Sequence, residues 1–576
     1  MNDQVKMATP PPLTALWRFY LLSLLLVSVP LPFLLALQFF SAGIRNCVVM
    51  FFAWLALAVA YWWPVGTVLF LWKRGWLTRL LVGYLASLPL YFFCLLMIYP
   101  AFDAHFHPRS PSLWGIYLSQ TPVYFAFVLF LFLLTQARSA IRKATTWLVA
   151  ALFVAGVIAP IIYIARTDKY TWPQSRSTRA NIVNARFVDP GANRVTQGIH
   201  VHVADGRIVE LVEAAKDSST WPVIDADGKY LLPGLIDVHT HLQAPVRSVL
   251  APFDFQFLLE SLFSDYAPQR RAYLESGVTT VRDVGGPAAR AYQMRAALQS
   301  YRLLGPRLFV VGRLVTSPRG HPVSTIWSAQ VSKEGAILAS DSSSLISGLQ
   351  KNYAAGPPDA VKFIYGTIGM AKERLAPNLL EQGIAWAASK NLISIVHAET
   401  TEEVTEAARA GATGIEHVAS VESMPDGLVS VLVEKKIFVD PTFGELDTAL
   451  TLRKVDEAKR KELLQQSYQF IRKLQDAGVP LTIGTDAPLL PYGAGVHDEF
   501  DYFLKAGFTP AEILKFDTIN DAAYLGKSDS LGQIAPGFQA DLLLVTDNPL
   551  QNIQTLRKPV WVMLQGQIVV PRPRAN

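Results

Sequence analysis

Two histidines one residue apart, His239 and His241, end the apolar run GLIDVHTHL (234–242). Strand side chains alternate, so both imidazoles leave one face. Four more groups able to hold or polarise stand at the ends of other short apolar runs. They are Lys362 in AVKFIY (360–365), His397 in LISIVHAE (392–399), His417 in GIEHV (414–418) and Asp486 in LTIGTDA (481–487). A lone strand-end histidine is commonly a hydrogen-bonded rim residue. Four of them with an aspartate, each closing a strand, point to a shared cation. Imidazole nitrogen and carboxylate oxygen without thiolate suit a catalytic rather than a structural metal site. A free ammonium cannot ligate a cation, so Lys362 joins this set only if converted to an anion. Two other H-x-H pairs read differently. His200 and His202 lie in a peripheral sheet without carboxylate partners and read as solvent-facing; His105 and His107 read as loop residues.

The elements that must position these groups follow from the pattern of runs. VTTVRDVG (278–285), RLFVVG (307–312) and IFVDPTF (437–443) bring the number of β-rich runs to eight. Helical stretches such as 375–389, 401–410 and 445–477 separate them. Eight β/α alternations predict a (β/α)8 TIM-type barrel, whose chemistry sits at the C-terminal ends of its strands. All the candidate groups share that rim. Alternating runs broken by Gly and Asp turns flank the barrel at both ends. The expected organisation is therefore a barrel over 234–534 and a small β-sandwich from 178–233 and 535–576.

Composition sets the first part of the chain apart. Of 576 residues only 17% are charged, against about 25% in a typical soluble domain. The first 165 residues hold ten Lys/Arg against two Asp/Glu; the remaining 411 hold 42 against 44. The basicity is thus confined to the apolar part, which excludes nucleic acid as the partner. A bilayer core takes about 20 apolar residues per helix, and five stretches qualify, at 19–40, 47–70, 80–100, 115–135 and 146–165. They predict an all-α transmembrane bundle over 1–165 and a linker over 166–177, with the lipid bilayer as partner. Lys/Arg in alternate loops place the barrel outside. The expected localisation is a multi-pass membrane protein of the bacterial inner-membrane kind, its catalytic domain on the outer, periplasmic side. Both cysteines, Cys47 and Cys94, fall in these stretches, and a cysteine-free catalytic part suits an oxidising compartment.

The motifs LLPGLIDVHTHL, VRDVGG, VHAE, IEHV and GTDA, with the tail LGQIAPGFQADLLLVTDNPL, resemble the amidohydrolase superfamily. The nearest likeness is to its imidazolonepropionase-like and Xaa-Pro dipeptidase-like branch, and it covers 178–576. The resemblance implies two divalent metal ions, expected to be zinc. His239, His241 and Asp486 hold one, His397 and His417 the other, and a carbamylated Lys362 bridges them. Lys362 speaks against the single-metal imidazolonepropionase type, which lacks it. The implied reaction is hydrolysis by a metal-activated hydroxide, with Asp486 as general base and acid. His321 and Tyr365 are candidate substrate contacts, and His497 and Arg319 further rim candidates. The turn Ser317-Pro318-Arg319-Gly320-His321-Pro322 departs from the Gly-Gly-His-Gly turn of the dipeptidase-like relatives. The segment Tyr365-Gly366-Thr367-Ile368-Gly369 replaces a Gly-rich one, so the pocket-shaping loops differ.

The expected function is a membrane-anchored amidohydrolase cleaving C–N bonds of a small-molecule amide or peptide, with dipeptides or N-acyl amino acids as first substrates. Cyclic amides, lactones or xenobiotic esters on the same site form one alternative. A catalytically dead barrel serving as a receptor or scaffold forms another. A homo-oligomer is left open.

Overall fold

The computed structural model describes residues 170–172, 179–243, 265–327, 329–367, 371–421 and 423–571. The five expected membrane spans lie outside these residues. Among the described residues, no helix is long and apolar enough to cross a membrane. The longest, Glu457–Asp476, has the length but carries Glu457, Lys459, Arg460, Lys461, Glu462, Arg472, Lys473 and Asp476. The expected fold class is corrected on this finding to its α/β part. The membrane localisation with an outer-side catalytic domain, and the lipid bilayer as partner, fall with the bundle that carried them.

Leu235–Thr240, Val278–Asp283 and Arg307–Val310 pair in parallel. The chain then kinks at Gly312, whose φ of 70° a side chain would resist, and Leu314–Thr316 carries the ring on to Ala360–Ile364. From there Ile393–His397, Gly414–Glu416 and Phe438–Asp440 follow, each parallel to the last. Bridges Val439 to Leu481 and Thr240 to Ala487 close the ring. The expected eighth strand is thus only a pair of bridges. Between them, a side chain at Gly484 would run into Asp440 Oδ2 and His239 Cβ, so the chain passes there as bare backbone. The sixth strand stops at Glu416 because His417 turns into the left-handed region at φ 68°.

Inside the ring, Ile236, Val238, Phe309, Ala360 and Ile395 pack on Ala522, Tyr524 and Leu525. Tyr524, on the short helix Asp521–Tyr524, plugs the barrel, and the Arg282 guanidinium lies 4.0 Å over its ring. Odd positions of the fourth strand face outward: Val361 and Phe363 join the layer between strands and helices. Of two further sheets, one is built from strands within 179–225 alone and the other combines strands from 186–233 with strands from 542–570. Their shared core includes Ile182, Val201, Leu231, Leu542 and Trp561. His200 and His202 do have a carboxylate partner, contrary to expectation. Asp217 Oδ2 lies 2.6 Å from His200 Nδ1 and 3.2 Å from His202 Nε2, and Asn181 also donates to it.

The plug yields a test. A Cβ at Gly414 would overlap the Tyr524 ring, whereas one at Gly427 meets open space. Gly414→Ala should lower the unfolding free energy by about 1–3 kcal/mol through overpacking. Gly427→Ala should leave it unchanged or slightly raised. Equal denaturation midpoints for the two variants would refute the plug.

Candidate metal centre

The rim groups arrive on separate elements. His239 ends the first strand, Lys362 lies in the fourth, His397 ends the fifth, His417 follows the sixth and Asp486 sits between the closing bridges. His417 and Asp486 both take positive φ, 68° and 49°. For side chains other than glycine that conformation is uncommon, and it collects where structure elsewhere imposes it. Here it swings both side chains over the barrel mouth. Donor atoms of His239, His417 and Asp486 all fall within 4.8 Å of one another.

Each imidazole's tautomer is assigned from its partners. His241 Nδ1 lies 2.8 Å from the Gly285 carbonyl, which can only accept, so Nδ1 carries the proton. His417 Nδ1 lies 3.0 Å from Thr442 Oγ1, whose own hydroxyl donates to the Pro441 carbonyl. His239 Nδ1 is 3.1 Å from Glu416 Oε2, close though not aligned as a formed hydrogen bond. All three rings therefore turn Nε2, a lone pair, towards the mouth. Two of those lone pairs stop 3.4 Å (His239) and 3.3 Å (His241) from Asp486 Oδ1. Lone pairs facing a carboxylate oxygen repel unless a cation or proton lies among them.

His397 is the fourth imidazole. Its ring lies 4.2 Å from that of His417. Its Nε2 is buried without a hydrogen-bond partner, 3.5 Å from Glu399 Oε1. An orphaned buried nitrogen is costly, and a metal is a partner that removes the cost. Burial drives the His417 imidazolium far down, with the charges of His397 and His239 adding to it, so the ring is neutral, as ligation requires. Donor chemistry and the orphaned atom thus both fit a divalent cation.

Lys362 is 1% exposed, and its amine abuts Glu416 Oε2. Burial lowers its pKa to about 7, Arg282 adding to the effect while Asp486 and Asp440 oppose it. His321 is brought to the same mouth, its ring 6.1 Å from that of His397 and its Nδ1 2.7 Å from Thr325 Oγ1. Burial, then His397, lowers it to about 3.

Tyr365 is not brought in. It has the outward parity of Val361 and Phe363, and its hydroxyl donates to Glu406 Oε2 at 2.6 Å beneath Arg374. His497 is buried elsewhere, with Nε2 2.9 Å from the Ser276 carbonyl. Arg319 is exposed and pairs with Glu373 at 3.3 Å. Sequence reasoning passed over Glu416, Arg282, Asp440 and Glu445. Glu445 Oε2 lies 3.8 Å from His417 Nδ1, and burial with Asp486 and Glu399 raises it to about 8. Burial raises Asp440 to about 6. The available signal was a charge inside an apolar strand run, VRDV and GIEHV, which folding must bury and therefore pair.

A model of the amidohydrolase family matches residues 230–569. Imidazolonepropionase of Anaeromyxobacter sp. (strain K) is 26% identical over 389 residues, covering 62% of this chain and 84% of its own. Ochratoxinase of Aspergillus niger is 22% identical over 449 residues, covering 69% and 86%. A solved Xaa-Pro dipeptidase with methionine in its active site superposes at TM-score 0.60 with 23% identity, over 68% of this chain and 99% of that one. At that identity the likeness is one of fold.

The neutral His321 gives a pH test. Its folded pKa of about 3 lies below an unfolded value of about 6.5. Between the two, the unfolded chain holds a proton that the folded chain lacks. Stability therefore falls as pH drops from about 6.5 towards about 3 and is unaffected above. In metal-free protein, His321→Gln should flatten that fall by up to about 1.4 kcal/mol per pH unit. Parallel urea-denaturation curves for the two proteins across this range would contradict it.

Proposed function

The chain belongs to the amidohydrolase family and is a metal-dependent hydrolase of carbon–nitrogen bonds, and from that premise we propose that it works with two divalent cations, zinc in the first instance. His239, His241 and Asp486 hold one, His397 and His417 the other, and carbamylated Lys362 bridges them. The observation that carries this reading is the pair of imidazole lone pairs aimed at Asp486 Oδ1 from 3.3 and 3.4 Å. Bound there, such cations make water acidic enough to supply a nucleophile near neutral pH, and they polarise a carbonyl.

The chain's own residues do the rest. A Lys362 amine with a pKa of about 7 is substantially neutral at physiological pH, so its lone pair is available to CO₂. The N–C bond forms, one N–H proton leaves to solvent, and the product is a carboxylate that can ligate. Asp486 stands beside both first-strand histidines, where it takes a proton from the attacking water and returns it to the leaving nitrogen. The barrel floor excludes bulk water from beneath, so charge developing at the mouth is stabilised in a low dielectric.

Substrates of the first rank are small amides, dipeptides or N-acyl amino acids. Dipeptides are supported by the fold shared with the Xaa-Pro dipeptidase. Cyclic amides and xenobiotic amides are the second rank, supported by the ochratoxinase and imidazolonepropionase relatives.

The test is amine release by metal-replete protein from Xaa-Pro and other dipeptides, N-acyl amino acids and cyclic amides, with and without chelator. Release should be abolished by chelator and restored by zinc. Asp486→Asn should lower kcat by about 10²–10⁴-fold, the usual worth of a general acid–base. Chelator-resistant turnover, or an Asp486→Asn variant at wild-type rate, would overturn the reading.

A further inference from the structure

We propose that Glu416 is the positioning residue of the centre, setting the tautomer of His239 and the pose of Lys362 from beneath. This rests on the metal-centre reading above. Glu416 is fully buried at the end of the sixth strand, next to His417. Its Oε1 accepts from Arg282 Nη2 at 3.0 Å. Its Oε2 meets the Lys362 amine and lies 3.1 Å from His239 Nδ1. One carboxylate therefore touches groups from the first, second and fourth strands.

The geometry assigns it two tasks. Glu416 approaches His239 at Nδ1, and Asp486 approaches it at Nε2. The two carboxylates thus stand at different edges of one imidazole. Both can only accept, so with Nε2 given to the cation that Asp486 shares, the single ring proton is left on Nδ1, where Glu416 at 3.1 Å is the nearest acceptor. Such outer partners raise ligand basicity and fix ring orientation. The second task concerns Lys362. After carbamylation Nζ keeps one hydrogen. With Glu416 Oε2 against Nζ, that hydrogen is the donor to Glu416, and the new carboxylate projects away from it, towards the mouth. Arg282 places a fixed positive charge against the other oxygen of this carboxylate, at 3.0 Å. Arg282 is itself pinned by Nε to the Val238 carbonyl at 2.8 Å and by the Tyr524 ring.

Asp440 shares this space. Its Oδ2 lies 4.0 Å from His239 Nδ1 and has no hydrogen-bond partner. The donor atoms of His239, Glu416 and Asp440 lie within 4.8 Å of one another, so a direct ligand role for Glu416 is the competing account. Against it, Lys362 and Arg282 already occupy both Glu416 oxygens.

The experiment uses the full chain, Glu416→Gln, and the double variant Arg282→Met/Glu416→Gln, which removes the guanidinium charge left stranded by the single change. Zinc affinity is measured by competition with a chromophoric chelator, stoichiometry at saturating zinc, and ligand-field geometry from the visible spectrum of the cobalt form. The melting temperature of metal-free protein serves as the fold control. A positioning role predicts two metals at saturation, zinc affinity weaker by about 10–100-fold, and an altered cobalt spectrum. Wild-type affinity and spectrum in a variant that melts cooperatively would overturn the proposal and leave Glu416 as a fold residue. Loss of one metal equivalent at saturation would overturn it in favour of direct ligation. Absence of chelatable metal from the wild-type chain would sink the metal-centre reading itself, and this inference with it.

Discussion

Three imidazoles at the barrel mouth, His239, His241 and His417, each have one proton to place, and the structure depends on where it goes. His241 gives it to the Gly285 carbonyl, His417 to Thr442, and His239 turns it towards Glu416. Every acceptor lies behind its ring, so every lone pair points forward. This costs the chain regular structure. Asp486 and His417 sit in left-handed backbone, the eighth strand thins to two bridges, and Gly484 must stay without a side chain so that His239 and Asp440 can close past it. These departures from an ideal barrel occur at the mouth. The floor keeps ordinary apolar packing, as expected where strain is tolerated only for function.

The second constraint is charge inside the ring. Arg282, Lys362 and Glu416 are each at most 1% exposed, and two cations share one carboxylate. Breaking such a set is costly because a lone buried charge remains. The conflict is resolved chemically. Burial brings Lys362 to about 7, so it can give up its proton, while Arg282 cannot and stays paired with Glu416. Of these two cations, the lysine is the one able to change sign. On the proposed carbamylation, an anionic Lys362 beside the Arg282–Glu416 pair would need compensating positive charge, and the orphaned His397 Nε2 and forward lone pairs would meet it.

Much of this was legible in the residues and some was not, for physical reasons. Strand periodicity exposed the barrel because each strand is a short apolar run, and side chains ending such runs must meet at the rim. The same periodicity, applied one residue further, would have put Tyr365 outside, since it shares parity with Phe363 and not with Lys362. His417 could be named but not posed, because its lone pair depends on a backbone reversal that no residue type announces. The Asp217 partner of His200 and His202 lies across a turn, 15 residues from His202, beyond the reach of local alternation. The first 165 residues lie outside those that the structure describes. Their hydropathy suggested spans and a compartment, yet no helix among the described residues is both long and apolar enough to cross a membrane.

The substrate question comes back to the same physics. Ligand side chains are held by strands, hence by a register that pairing enforces, whereas the groups that would choose a substrate sit on turns after the strands. Arg319 is solvated and spent on Glu373, and Tyr365 on Glu406. His321, kept neutral by burial, stays at the mouth, and the acidic side chains Glu399 and Glu445 lie beside His397 and His417. Neither of those two carboxylates has an Arg or Lys ion-pair partner among the described residues. With burial, Asp486 and Glu399 raising it to about 8, Glu445 stands protonated near neutral pH and offers a hydrogen-bond donor rather than a charge.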